Sequence, residues 1–124
     1  MSKNENSKQY DLEGRTLQFA KRVRSYVKKL KKTVANIEDG KQLVRASGSV
    51  GANYIEANEA LSKKDFIMRI KICRKEAKES AYWLRLVEVE TGADSERERR
   101  DLVQEATELI KILSTIIKNK KAKL

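Results

Sequence analysis

The sequence has no histidine, no proline and a single cysteine, Cys73, among its 124 residues. Without histidine the commonest general base and metal ligand is missing, and one cysteine cannot build a zinc site. The Glu-x-x-His motifs of di-iron helical bundles are excluded for the same reason. Gly48 and Gly51 are not followed by the Gly-Lys-Ser/Thr signature of a phosphate-binding loop. These absences argue against an enzyme, and we expect no cofactor, no metal and no small-molecule substrate.

The scarcity of cysteine also bears on where the protein works. Cys73 cannot form an internal disulfide, which fits a reducing cytoplasm. Its place between Ile70 and Ala77 on an apolar stripe favours a buried small hydrophobe over a reactive thiol. The N-terminal residues lack the apolar core of a signal peptide, and no window approaches the ~18 apolar residues that span a bilayer. We expect a cytoplasmic protein without a membrane partner.

The sequence does have a strong helical rhythm. Apolar residues recur at three- and four-residue spacings in four segments, and strand-like alternation is missing. Val34 continues the apolar face of the first segment, and Leu61 continues that of the second. Four helices with short connections predict an all-α, antiparallel up-down four-helix bundle in one domain. The expected helices lie at residues 12–35, 41–60, 63–91 and 95–118, with a frayed basic tail at 118–124.

Turn-prone residues predict the boundaries of these helices. The run NIEDG at residues 36–40 interrupts the rhythm, and Asp39 within it is a candidate N-cap for the second helix. Gly92 is a candidate C-cap for the third helix. Two further pairs have the spacing of capping boxes: Ser62 with Asp65, and Ser95 with Glu98.

The charge balance favours an acidic partner. The formal net charge is +10, and nucleic acid is the commonest acidic polymer in a cell. A lysine-coated surface that only confers solubility is the alternative interpretation. Up-down topology puts the second connection and the C-terminus at the same end of the bundle. That end is expected to gather six lysines as a candidate nucleic-acid-binding surface: Lys63, Lys64, Lys118, Lys120, Lys121 and Lys123.

The stretch RASGSVGANYIEAN, residues 45–58, is unusually rich in small residues for a helix. Small side chains let another backbone approach closely, and asparagine is a poor choice for an exposed helix interior. The third helix carries a second apolar flank, with carboxylates between Ile72 and Leu86. We expect a polar network at a packing or subunit interface, with a solvated edge as the alternative. Its residues are Arg45, Ser49, Asn53, Glu56, Glu76, Glu79 and Trp83.

Two motifs carry a resemblance to a known family. The pattern RAS-x-S-hydrophobic-x-x-N-x-x-E begins at Arg45, and KEAKE-S-x-YWL begins at Lys75. Both are similar to the signature of the 23S rRNA-intervening-sequence proteins, and the likeness covers most of the chain. The resemblance implies a small cytoplasmic four-helix bundle that forms a homopentamer and has no established enzymatic activity. A more distant similarity in fold links it to the accessory variability protein of diversity-generating retroelements, a basic pentamer that binds reverse transcriptase and nucleic acid.

Residues and resemblance together favour a non-enzymatic, homo-oligomeric basic bundle, pentameric by resemblance. It is expected to bind RNA, DNA or a nucleoprotein partner through charge, because no side-chain set suggests base reading. The competing interpretation is a protein-interaction or scaffold module that binds no nucleic acid.

Overall fold

The computed structural model describes residues 11–90 and 92–123, and four helices account for most of them. The helices are α1 (Leu12–Lys29), α2 (Val34–Asn58), α3 (Lys63–Leu86) and α4 (Ala93–Ala122). These residues contain no strand, which confirms the predicted all-α class. Within the same residues, no helix is both long and apolar enough to cross a membrane.

The four helices form a closed ring of neighbours, in which each helix packs against two others. Arg15 near the start of α1 bonds Glu105 of α4, whereas Lys29 at the end of α1 bonds Glu98, nearer the start of α4. Two such contacts in reversed order show that α1 and α4 run antiparallel. The other neighbouring helices show the same reversal. Helices α2 and α3 are joined by Arg45 with Glu79 and by Asn53 with Arg69, and helices α3 and α4 by Lys63 with Lys123 and by Arg74 with Ser114. Helices α1 and α2 meet at Thr16 with Gly51 and at Val27 with Gly40.

One hydrophobic core fills the centre of the bundle. It takes one stripe from each helix, as the three- and four-residue spacings predict. Three serine and threonine hydroxyl groups are buried with it, and each donates to a carbonyl oxygen of its own helix. The Tyr26 hydroxyl is also buried, and it has no hydrogen-bond partner among the described residues. The largest fully buried side chains are Tyr26, Phe19, Leu12, Leu43, Ile70, Leu84, Leu109 and Leu113.

The first connection lies earlier in the chain than predicted. Helix α1 ends at Lys29 rather than residue 35, and α2 begins at Val34 rather than residue 41, so the NIEDG run is helical. The N-cap is Thr33 and not Asp39, because the Thr33 hydroxyl accepts from the Asn36 N–H at 3.1 Å. Val34 is consequently 82% exposed at the first turn of α2, and not on the inner face of α1.

The buried side chain of Asn36 explains why this run is helical. Its amide nitrogen donates to the Lys31 carbonyl at 3.0 Å and the Glu88 carbonyl at 2.9 Å, and its oxygen accepts from the Glu88 N–H at 2.8 Å. These three hydrogen bonds link the first connection to the segment after α3. They offset the low helix propensity of asparagine, which single-residue preferences cannot foresee.

The third connection also differs from the prediction. Helix α3 ends at Leu86 rather than residue 91, and α4 begins at Ala93, so Gly92 is the N-cap residue of α4 and not the C-cap of α3. Arg99 of α4 donates to the Val87 carbonyl at 2.8 Å and to the Arg85 carbonyl at 3.3 Å. A side chain from the next helix thus satisfies carbonyls at the end of α3, which a glycine cap would otherwise do.

The remaining boundaries are closer to expectation. Helix α2 ends at Asn58 rather than residue 60, and the Ser62 hydroxyl accepts from the Asp65 N–H at 3.0 Å, as its predicted capping role requires. The predicted cap at Ser95 is wrong, since that residue lies inside α4. Leu61 is 99% exposed in the second connection, not on the inner stripe. Helix α4 continues to Ala122, so the predicted frayed tail is helical over residues 118–122. Lys123 is the C-cap, and Leu124 lies outside the described residues.

Candidate nucleic-acid and subunit interfaces

Arg45 connects α2 with two carboxylates of α3. Its guanidinium lies 3.4 Å from Glu79 Oε1 and 3.8 Å from Glu76 Oε1. Only the first contact is a hydrogen bond, and Glu76 Oε1 is buried with no hydrogen-bond partner among the described residues. The Arg45 side chain is 54% exposed, so solvent screens the pair, although Glu76 itself is 10% exposed. The network is therefore half-buried along the α2–α3 seam.

Asn53 lies further along the same seam and has a partner that the sequence did not reveal. Its amide nitrogen donates to the Ser49 carbonyl at 2.9 Å, and its oxygen accepts from Arg69 of α3 at 3.2 Å. Glu56 does not join Arg45, but lines a surface cavity with Arg69. Arg69 is thus a network member that could have been found only by pairing α2 and α3 in antiparallel register.

Two glycines of this stretch of α2, Gly48 and Gly51, lie against α1. A Cβ on Gly51 would stand 2.8 Å from Thr16 Oγ1 and 3.8 Å from the Thr16 carbonyl carbon. A Cβ on Gly48 would meet the Arg24 guanidinium at 3.2 Å. The close backbone approach expected at this stretch therefore occurs, and it occurs within the chain. Ala52 is exposed, so it takes no part in this contact.

Trp83 lies at the other end of the seam and is half-buried. Its ring contacts Tyr82 nearly at right angles, with centroids 5.0 Å apart. The indole N–H is buried and has no acceptor among the described residues. Buried polar groups normally have a partner, and an unsatisfied one calls for a specific explanation. Other large apolar side chains of α2 and α3 are also exposed, among them Ile55, Met68 and Leu86.

The six lysines predicted at one end of the bundle do lie where α3 begins and α4 ends. We call this set the basic pole: Lys63, Lys64, Lys118, Lys120, Lys121 and Lys123. The ammonium group of Lys63 donates to the Lys123 carbonyl, and Lys120 Nζ stands 4.9 Å from the centre of the Phe66 ring. The two helix ends are therefore in direct contact, and they carry their charges on one surface.

Few acidic groups lie on the two helix ends that carry these lysines, although the end of α2 brings Glu56 and Glu59 next to Asp65 at the start of α3. Among residues 109–124 there is no aspartate or glutamate, and α3 has only Asp65, Glu76 and Glu79. No ion pair involves a basic-pole lysine among the described residues. The proximity of Lys121, followed by a contribution from Arg74, lowers the pKa of Lys71 beneath its ordinary value. Lys121 of the basic pole and Lys71 of α3 are thus close enough to repel each other.

At the opposite end of the bundle, positive and negative groups neutralise each other. Lys29, at the end of α1, donates to Glu98 near the start of α4 at 2.9 Å. Arg15 lies near the other end of α1, and it donates to Glu105 through two nitrogens and to Glu108 through one. The bond to Glu105 is the main reason why the pKa of Arg15 is raised above its ordinary value. These ion pairs tie α1 to α4.

Comparison with known proteins places the chain in a family. A family model described as 23S rRNA-intervening sequence protein matches residues 8–115. The search of curated proteins found no match. Among solved structures, the chain is similar to a protein with unknown function from the S23 ribosomal protein family of Bacteroides thetaiotaomicron VPI-5482, with 34% sequence identity and a TM-score of 0.73. The alignment covers 86% of this chain and 97% of that one.

The matched region contains all four helices except the last turns of α4, and it includes the whole α2–α3 seam. The chain belongs to the 23S rRNA-intervening sequence protein family.

Proposed function

We propose that this protein is a non-enzymatic, self-associating bundle that binds nucleic acid or a nucleoprotein through charge. The observation that carries the proposal is the basic pole, where the start of α3 and the end of α4 bring together lysines that form no ion pair among the described residues. Lysine ammonium groups neutralise phosphates and release condensed counterions, and this drives sequence-independent binding. The net charge of +10 adds long-range attraction.

Self-association is proposed at the α2–α3 seam. This seam combines exposed apolar side chains with two buried polar atoms, Glu76 Oε1 and Trp83 Nε1, that have no partner among the described residues. Aromatic residues and arginine are enriched at subunit interfaces, and a second copy would supply both apolar cover and hydrogen-bond partners. The family resemblance favours five copies, which would repeat the basic pole five times around a ring.

The binding proposal is tested by replacing Lys118, Lys120, Lys121 and Lys123 with glutamine. We expect weaker binding to an RNA fragment of ribosomal sequence and a smaller salt dependence, because fewer counterions are released. The matched control replaces four exposed basic residues that form no ion pair among the described residues, Lys21, Arg22 and Lys28 of α1 and Lys32 after it, with glutamine. This control changes the net charge equally but leaves the pole intact.

Equal loss of affinity in both variants would assign the binding to net charge alone and contradict the role of the pole. Undetectable binding of the unaltered protein at low salt would instead support the scaffold interpretation. Light scattering on the unaltered protein tests self-association separately, and a monomer at micromolar concentration would contradict it.

A further inference from the structure

Helix α3 carries a row of exposed side chains on the flank away from the polar network. The spacings of four, three, four and three residues place its members on a single stripe. All five are exposed, and the stripe is about 21 Å long at 1.5 Å per residue. Its members are Lys71, Lys75, Lys78, Tyr82 and Arg85; we call the four cations among them the basic row.

The acidic residues of α3 lie on the side of the helix that faces α2. Arg45 contacts Glu76 and Glu79, and Asp65 lines the cavity shared with Glu56 and Arg69. Glu79 is also one turn from Lys75 along the helix. No ion pair involves a member of the basic row among the described residues, so no direct ion pair neutralises the stripe there.

The neighbouring edge of α4 extends the same charged surface. Arg74, next to the row, donates to the Ser114 hydroxyl at 3.3 Å, which fixes its guanidinium over the α3–α4 groove. Lys121 stands close enough to Lys71 for mutual repulsion. An anion seated between these cations would relieve that repulsion, because an opposite charge favours the protonated ammonium. The row thus continues into the basic pole.

Tyr82 interrupts the cations with an aromatic ring. It is 57% exposed, and its nearly perpendicular contact with Trp83 holds the ring on the surface. An exposed aromatic between lysines is the combination with which proteins bind single strands: cations follow the backbone, and unpaired bases stack on the ring. A duplex cannot use this ring in the same way, because its bases are already stacked on each other.

We propose that the basic row and Tyr82 form a binding site for single-stranded nucleic acid, with one unpaired base stacked on Tyr82. The inference rests on the proposed charge-driven binding and adds the form of the ligand. No set of side chains here reads the sugar, so single-stranded RNA and DNA should bind alike.

The first test compares two single strands, oligo(U) and oligo(dT), with a duplex, and every strand carries about 12 phosphates. Binding is followed at constant salt by the fluorescence of Trp83, the chain's one tryptophan, which touches the proposed stacking ring. We expect both single strands to bind more tightly than the duplex and to change the Trp83 emission. A duplex that binds as tightly as the single strands would overturn the inference, although charge-driven binding would stand.

The second test replaces Tyr82 by phenylalanine, leucine or alanine. Tyr82→Phe should keep the affinity for oligo(U), while Tyr82→Leu and Tyr82→Ala should weaken it at least about fivefold with an unchanged salt slope. Lys71→Gln with Lys78→Gln should lower the slope instead. Leu17→Ala, an exposed change on α1 and outside the row, is the control.

The two tests have separate ways to fail. If all Tyr82 variants bind oligo(U) like the unaltered protein, the stacking site is wrong while the proposed function survives. If Tyr82→Ala changes the oligomeric state and not the intrinsic affinity, Tyr82 belongs to a subunit interface and the inference also fails. If no nucleic acid binds at all, the proposed function and the inference fall together.

Discussion

Gly51 of α2 lies directly against Thr16 of α1. An added Cβ would stand 2.8 Å from Thr16 Oγ1 and 3.3 Å from Thr16 Cβ, both well inside ordinary contact. Thr16 is buried, and its hydroxyl donates to the Glu13 carbonyl at 2.9 Å. The α1–α2 contact therefore requires a residue without a side chain at position 51.

This contact predicts opposite outcomes for two neighbouring glycines. Gly51→Ala should lower the free energy of unfolding by about 1 kcal/mol, since overpacking of ~1–3 kcal/mol exceeds the ~1 kcal/mol gain in helix propensity. Gly48→Ala meets only the end of the Arg24 side chain, which can move, so that variant should be as stable as the parent or more so. Urea unfolding of both variants checks this, and equal stabilisation by the two would contradict the Thr16 contact.

Asn36→Ala should destabilise the fold more than an ordinary surface change. The substitution leaves the Glu88 N–H and two carbonyls without their partner, at about 1–3 kcal/mol for unsatisfied buried groups. Asn58→Ala, at the exposed end of α2, is the control, with an expected change within about 0.5 kcal/mol. Thermal unfolding measured for both gives the comparison. A similar midpoint for the two would mean that Asn36 does not link the connections.

Arg15 and Lys29 pair with α4 at different depths, so their ion pairs should differ in strength. The Glu105 side chain is 15% exposed beside Arg15, whereas Lys29 and Glu98 are 64% and 40% exposed. A double-mutant cycle should give a larger coupling for Arg15 with Glu105, about 1–3 kcal/mol, than for Lys29 with Glu98, about 0–1 kcal/mol. Equal couplings would contradict the two-nitrogen geometry at Glu105.

Cys73 should be unreactive in the folded protein. Burial raises the pKa of its thiol to about 12, so almost no thiolate exists at pH 8. Because the pKa of the thiol is higher in the folded protein than in the unfolded chain, the fold is stabilised at pH values below the unfolded pKa. This contribution is lost as pH rises from about 9 toward 12. Alkylation by iodoacetamide should therefore be slow at pH 8 and fast in denaturant. Rapid labelling of the native protein would show an open core.

Arg45→Ala and Trp83→Ala should each shift the oligomer toward smaller species. Truncation of Trp83 removes apolar cover, and removal of Arg45 leaves the buried Glu76 without a nearby cation. Multi-angle light scattering measures the size, and circular dichroism shows whether the helices remain. Leu17→Ala, an exposed change on α1, is the control. Unchanged size in both variants would rule out the α2–α3 seam as the subunit interface.

The four helices could be predicted because their apolar spacings are long and regular. The core stripe follows directly from this periodicity, and Ser62 from its cap spacing. The two longer connections could not be predicted from local preferences. Asn36 stays helical through bonds to residues 31 and 88, and Arg99 caps a helix that ends 13 residues earlier. Both depend on contacts that exist only once the bundle is assembled.

The candidate surfaces show the same division between local pattern and assembled structure. Topology alone predicts that the basic-pole lysines share one end of the bundle. It does not show that Gly48 and Gly51 face α1, or that Arg69 partners Asn53, because helix rotation about its axis is set by packing. The basic row of α3 could not be predicted, because the contacts of Glu76 and Glu79 with Arg45 depend on how α2 packs on α3.

The salt dependence of RNA affinity tests the central claim most directly. The account predicts that log K falls linearly with log salt for the unaltered protein, with a slope that reflects several phosphate contacts, roughly −0.7 per contact on a single strand. Substitution of the basic-pole lysines by glutamine should make this slope shallower. No measurable affinity at 50 mM salt, or an affinity indifferent to salt between roughly 50 and 200 mM, would contradict it.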